Sequence, residues 1–499
     1  MTISRRSFIA GTALVAAAPF RVRSTAAEDK NLFPNVLKIP PLLQPVQSGD
    51  KKVFDLVATS GKSEFFEGIS TPTLGFNGNY LGPTIRVRRG DRVTMRVKNA
   101  LPYPTTVHWH GLHIPARFDG GPHQIIKPGS VWEPSFEITQ KASLCWYHSH
   151  LMGKTGEQVL RGLAGLFLIE DDESRALGLP VDYGVDDIPL VIQDRRFQRD
   201  GSFDYLSSMH DVMAGYKGDV ILVNGTVAPH VDLRRQRTRL RILNGSNSRI
   251  YSIGRDDGAD LVVIASDGSL LEQSVRQRRL RLGPAERAEL LIDLQPDQQV
   301  RLMSYPDAVD GRRTGSGMMM GGMAGNRETL PIVELRAAKL ETSDRPIPTK
   351  LIQVPGWSAA SAARTRTFSL DMPMMGMGGM MGRGAMGGSM GINGRPMSMD
   401  RIDFEVPLGS TEIWEIRNTS PFSHPFHIHG IQFRVLDRDG APPLPQELGL
   451  KDTVLVDPGS VVRIITEFSD YTDSKQPYMY HCHILEHEDA GMMGQFTVV

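Results

Sequence analysis

Short runs rich in Val, Ile, Leu and Phe recur along the chain, separated by Gly, Pro, Asp and Asn. They include Thr84 to Val97, Leu163 to Ile169, Leu240 to Leu243, Ala288 to Leu294, Thr411 to Ile416 and Ser460 to Phe468. Several alternate apolar and polar positions, as in Arg92-Val93-Thr94-Met95-Arg96-Val97. A period of two turns one face of a strand to a core and the other to water, so these runs predict an all-β chain with sandwich patterning. Long amphipathic helices are not evident. Three stretches repeat one plan, each closing on a polar Asn: Val93 to Asn99, Leu240 to Asn244 and Thr411 to Asn418. The first and third run into His-rich motifs and the second does not. That predicts three related domains with the chemistry in the first and last. A chain of 499 residues also exceeds what one core usually supports. Pro and polar residues collect near positions 175 and 345, giving domains over 45–175, 176–345 and 346–499.

The N-terminus departs from the pattern. Ser4-Arg5-Arg6-Ser7-Phe8-Ile9 resembles a twin-arginine export signal. An apolar, Ala-rich stretch to Phe20 and small residues at Ser24 to Ala27 complete a cleavable segment over 1–27, too short to span a bilayer comfortably. The expectation is a periplasmic protein, delivered folded by the twin-arginine machinery, with no stable membrane insertion. Lys+Arg and Asp+Glu balance at 56 each, which gives no reason to expect nucleic acid or an anionic membrane as the partner. A monomer is expected.

A second departure is compositional. Residues 372 to 399 hold ten of the 23 methionines among many glycines, and Met318 to Met323 hold four more. Gly-rich sequence alone reads as a surface loop. Thioethers, however, are soft ligands that favour Cu(I), so the insertion points to copper handling.

The histidines carry the chemistry. Ten of the 14 fall in four compact motifs. These are His108-Trp109-His110; His148-Ser149-His150; His424-Pro425-Phe426-His427-Ile428-His429; and His481-Cys482-His483, followed by His487 and Met492. On a strand, residues i and i+2 face the same way, so each His-x-His pair offers two imidazoles to one place. Imidazole alone does not choose among copper, zinc, iron and nickel. Cys482, His487, Met492 and a more distant His424 do choose. Two His, one thiolate and one thioether are the ligands of a blue-copper electron-transfer site. If His481-Cys482-His483 is extended, the thiolate points one way and both imidazoles the other. Electrons then have a short covalent route between two metal sites. The other cysteine, Cys145, is expected to be a small buried residue, and His113, His123, His210 and His230 have no ligand spacing.

These motifs resemble the multicopper oxidases, and most closely the bacterial periplasmic cuprous oxidases, over nearly the whole mature chain. Cys145-Trp146-Tyr147-His148, Gly153-Lys154-Thr155-Gly156, Gly162-Leu163-Ala164-Gly165 and His483-Ile484-Leu485-Glu486-His487-Glu488-Asp489 carry the likeness. The resemblance implies three cupredoxin-like Greek-key β-sandwich domains and four copper ions. It gives the type 1 copper His424, Cys482, His487 and Met492, and the type 2 copper His108 and His427. The type 3 pair takes His110, His148, His150, His429, His481 and His483. It implies proton-delivering roles for Asp119 and Glu488. It also implies O2 as acceptor, with Cu(I), phenols or aromatic amines as reductants. Such oxidases have an Asp and a Met just before His-Pro-Phe-His, where this chain has Ser420-Pro421-Phe422-Ser423. Asp371, Met372, Met374 and Met375 are the remaining candidates for substrate copper. A laccase-like phenol oxidase, a copper-sequestering protein and a division-associated paralogue without copper are the competing readings.

Overall fold

The structure, a computed structural model, is described over residues 32–307, 328–338, 340–341, 346–372 and 390–499. The export signal, Met318 to Met323, Met374 and Met375 lie outside the described residues. Strands dominate and form six sheets among those residues. Each predicted run is found in a strand or a closely spaced pair of strands. Arg92–Asn99 buries alternate positions, Val93, Met95 and Val97 inward and Arg92, Arg96 and Lys98 outward, as a half-buried strand requires.

The sheets share cores in pairs. Phe54, Leu56 and Val97 meet Ile85, Tyr147 and Phe167 in one apolar cluster. Leu190, Ile242 and Leu290 meet Ile253, Val300 and Leu335 in a second. Phe368, Trp414 and Ile464 meet Phe426, Tyr480 and Phe496 in a third. A smaller cluster of Trp146, Leu166, Leu168, Val191 and Leu243 seals the first unit against the central one. The chain's first described strand, Asn35–Val36, pairs with Pro229–Asp232 of the central unit before the chain enters the first.

The three Asn positions are one device used three times. Asn99 Nδ2 donates to the carbonyls of Tyr103 and Ile126 at 2.9 and 2.8 Å. Asn244 does the same to Arg249 and Leu282 at 2.8 and 2.9 Å, and Asn418 to Phe422 and Val456 at 2.6 and 2.9 Å. Each Asn Oδ1 accepts the backbone N–H two residues on. Only a side chain with both an acceptor and two donors satisfies this buried corner. In the third unit the corner fixes the loop that leads straight into His424.

The His motifs lie on paired strands. His108–His110 runs antiparallel to Ser143–His148, with His108 opposite His148. His424–Ile428 runs antiparallel to Asp473–Cys482, with His427 opposite His481. Helices are short: Thr155–Leu160, Asp172–Ala176, Met209–Ala214 and Leu485–Asp489. None among the described residues is long and apolar enough to cross a membrane. The low-complexity reading of 372–399 fails at its end. Met390 is 1% exposed in the third core, and Gly391–Ile392 is a strand paired with Arg364–Asp371.

Candidate metal centre

Cys482 ends the strand Asp473–Cys482, fully buried. Its Sγ lies 3.2 Å from His424 Nδ1 and 3.7 Å from His487 Nδ1, and those two nitrogens are 3.3 Å apart. The opposite ring nitrogens are held from outside: His424 Nε2 by Ser420 Oγ at 2.6 Å, His487 Nε2 by the Met213 carbonyl at 3.1 Å. Anchoring one nitrogen leaves the other free to ligate. Ser420, which stands where a substrate-binding acid was sought, is therefore a brace for His424. Met492 belongs to the apolar cluster that holds Cys482, and its carbonyl accepts the Cys482 N–H at 3.0 Å. Met493, though buried, lies outside that cluster. Burial pushes the Cys482 thiol up and His487 down to about 4.

His481 and His483 leave the sulfur for a second cluster. His481 Nε2 lies 3.1 Å from His429 Nε2 and 3.2 Å from His150 Nε2. His427 Nε2 faces His108 Nε2 at 3.5 Å. His148 Nε2 faces His110 Nδ1 at 3.4 Å, and the His483 ring centre is 5.0 Å from that of His110 and 5.3 Å from that of His148. The eight imidazoles thus converge in one cluster, in which His108, His110 and His148, then His108, His427 and His429, and then His150, His429 and His481 bring ring nitrogens within 4.8 Å of one another. The first and third units contribute four each.

The cluster is chemically unfinished as a protein interior. Four outer nitrogens are held by carbonyls: His108 by that of Asp119 at 2.9 Å, His427 by that of Asp452 at 2.8 Å, His148 by that of Ser149 at 2.8 Å, His481 by that of Cys482 at 3.1 Å. The inner lone pairs face one another, and both nitrogens of His483 lack any hydrogen-bond partner. Burial, then repulsion from neighbouring rings, pushes His110, His148, His150, His429, His481 and His483 well down. Neutral rings with converging lone pairs are what soft or borderline cations bind. The donor set fits copper at both places.

Both acids reach the cluster. Asp119 caps the short helix Ala116–Phe118, and its Oδ2 lies 2.6 Å from His429 Nδ1. Glu488, on the helix Leu485–Asp489, places its oxygens 3.2 Å from His150 Nδ1 and 3.2 Å from His481 Nδ1. Burial, then the charge of Asp489, pushes its carboxyl well up. Asp371 instead ties its own loop, accepting from Ser369 Oγ, Gly394 N and Thr419 Oγ1, while Met372 packs against the third core.

Two contacts had no signal in the sequence. Asp452 Oδ1 lies 3.0 Å from His110 Nε2, and Arg287 from the central unit grips the same carboxylate. Isolated charged residues carry no spacing signature. Of the four unassigned histidines, His113 holds Gly430 O and Asp470, His123 holds Gln495, and His230 holds Phe33 O. Cys145 is a buried free thiol packed under Gly111.

Comparison with known proteins agrees. Multicopper oxidase family profiles match residues 58–174 and 368–499. The multicopper oxidase mco of Staphylococcus aureus is 35% identical over 471 residues, 93% of this chain and 92% of that protein. The cell division protein FtsP of Escherichia coli is 34% identical over 505 residues, 100% of this chain and 99% of its own. Among solved structures, a laccase-like multicopper oxidase from Ochrobactrum sp. superposes with a TM-score of 0.81 at 36% identity, covering 93% of this chain and 100% of its own. A metallo-oxidase from Campylobacter jejuni gives 0.80 at 30% identity, covering 94% and 97%. This chain belongs to the multicopper oxidases.

Proposed function

We propose that the protein is a four-copper oxidase of the periplasm that couples four one-electron oxidations to reduction of O2 to two water molecules. Cu(I) is its favoured reductant, with phenols and aromatic amines as further substrates. One observation carries the reading: the Cys482 sulfur sits among His424 and His487 while its neighbours His481 and His483 sit in the other histidine cluster. Copper held at these places would supply one-electron redox chemistry and a site for O2. In this reading Cys482, His424, His487 and Met492 hold the type 1 ion, and His108 with His427 the type 2 ion. His110, His148 and His483, with His150, His429 and His481, hold the type 3 pair.

The chain's own part is to bind, insulate and deliver protons. His487 is fully buried and bonded to Met213 O, so an electron reaches it across the helix Met209–Ala214. Glu488 touches two cluster histidines on one side and Asp119 touches His429 on the other, which places a proton donor on each flank. Four Cu(I) and four protons are consumed for each O2. The methionines of 373–389 favour Cu(I) over phenols as the purpose of the site. The competing reading, a division-associated relative without metal, has no use for ten buried ligand histidines and a buried cysteine between two of them.

Oxygen uptake with Cu(I) and with a phenol, measured side by side, tests the proposal. Four Cu(I) oxidised per O2 supports it, and hydrogen peroxide as product, or no turnover of either substrate, defeats it. Deletion of 373–389 should raise the KM for Cu(I) and spare phenol oxidation. Equal loss of both would refute the cuprous role.

A further inference from the structure

His110 is the exception in its cluster. His108, His148, His150, His427, His429 and His481 each turn Nε2 toward a neighbouring ligand ring. His110 turns Nδ1 inward instead. Its Nε2 faces the Asp452 Oδ1 at 3.0 Å and Thr453 Oγ1 at 3.2 Å. A neutral imidazole has one N–H and one lone pair. A carboxylate only accepts, so beside Asp452 the proton belongs on Nε2 and the lone pair on Nδ1.

The carboxylate has no freedom to do otherwise. Asp452 and Arg287 are both fully buried. Arg287 Nη1 donates to Oδ1 at 2.6 Å and Nη2 to Oδ2 at 2.5 Å. Its Nε donates to Leu144 O at 2.8 Å, and its backbone N–H to Asp267 Oδ1 at 2.7 Å. Asp267 also holds Lys451, the residue before Asp452, at 2.9 Å, with Glu286 3.2 Å from the same ammonium. Space is tight as well: at Gly111, next to His110, a Cβ would sit 2.7 Å from both Arg287 Nη2 and Asp452 Oδ2. The central unit, which contributes none of the cluster's histidines, supplies Arg287, Asp267 and Glu286, the first unit His110 and Leu144, and the third Lys451 and Asp452.

We propose that Arg287 and Asp452 select the donor atom of His110, so that Nδ1 is the nitrogen offered to metal before any metal arrives. The copper-free central unit thereby acts on the trinuclear site as a positioning element. This rests on the cluster being a metal centre. The pair's alternative role is a plain brace between units, and a brace is replaceable: apolar residues of similar volume often substitute for a buried ion pair without loss of stability.

Two variants of the full chain, loaded with copper beside the wild type, separate these roles. Asp452→Asn sets an N–H donor among the groups that face Arg287 and His110, and the double variant Arg287→Met/Asp452→Leu removes both charges together. Both should keep the blue band of the Cys482 site. Both should bind copper at the histidine cluster about ten- to a hundredfold more weakly, the usual effect of losing such a ligand's outer partner, with a changed electron paramagnetic resonance signal as the otherwise silent pair that His110 serves loses its coupling. Wild-type copper content and signal in either variant overturns the proposal. So does loss of the blue band in both, which would make the pair a general brace. A wild-type chain that fails to hold four coppers would defeat the metal-centre reading itself.

Discussion

The Cys482 sulfur lies 3.2 Å from Nδ1 of His424, two side chains brought together from strands whose registers pair Phe426 with Cys482. That register also places His427 opposite His481, so one strand pairing builds the edges of both ligand groups at once. The sulfur and the two imidazoles beside it thus join the two places through adjacent residues of one strand end.

Replacing Cys482 with Ser therefore removes the thiolate and leaves the histidine cluster intact. The expected protein is colourless, holds three coppers and has no oxidase activity above background. Visible absorption and an oxygen electrode check this. Retained turnover would mean that electrons enter by another route.

His108 faces His427 across the cluster, Nε2 to Nε2 at 3.5 Å. His108→Ala should keep the blue colour and its bleaching by reductant. Reoxidation by O2 should fall to background. Anaerobic reduction followed by admission of air reads both steps in one sample.

Glu488 bridges His150 and His481 yet has no hydrogen-bond partner on either oxygen. Glu488→Gln keeps the shape and removes the proton. Turnover with O2 should drop by about 10²-fold, a typical contribution of one general acid, while anaerobic bleaching of the blue band keeps its rate. A variant slowed equally in both steps would assign Glu488 to structure instead.

Asn418 satisfies three backbone groups at the corner before His424. Asn418→Ala removes a donor from the Val456 and Phe422 carbonyls, the latter keeping Ser420 Oγ at 3.1 Å, and the acceptor of the Ser420 N–H, at a cost of roughly 1–3 kcal/mol for each group left unmet. Thermal unfolding should shift down clearly, with the type 1 site losing copper first. The equivalent Asn244→Ala should lower stability alone, because no ligand follows its corner.

The period-two runs and the His-x-His pairs were legible because each is a local pattern with one geometric meaning. Arg92–Asn99 needed only its period of two, and the four histidine motifs only their spacing to stand out as candidate ligands, while the full ligand set came from the family resemblance. The Asn corners were visible as a repeat, but their two-carbonyl bonding depends on partners up to 38 residues away. Asp452 and Arg287 were invisible for the same reason: 165 residues apart, they become a pair only when two sheets pack. Met390 shows the opposite error, since a Gly-rich composition says nothing of the one side chain that turns into the core. Ser420 was read for what it lacked, an acid, and its hydroxyl's grip on His424 had no sequence counterpart.

Copper content per chain, measured on fully loaded protein together with its electron paramagnetic resonance spectrum, bears most directly on the linked-site arrangement. Four ions per chain are predicted, two of them giving a signal and two silent through coupling across the histidine groups. One ion per chain, or four that all give independent signals, would contradict it.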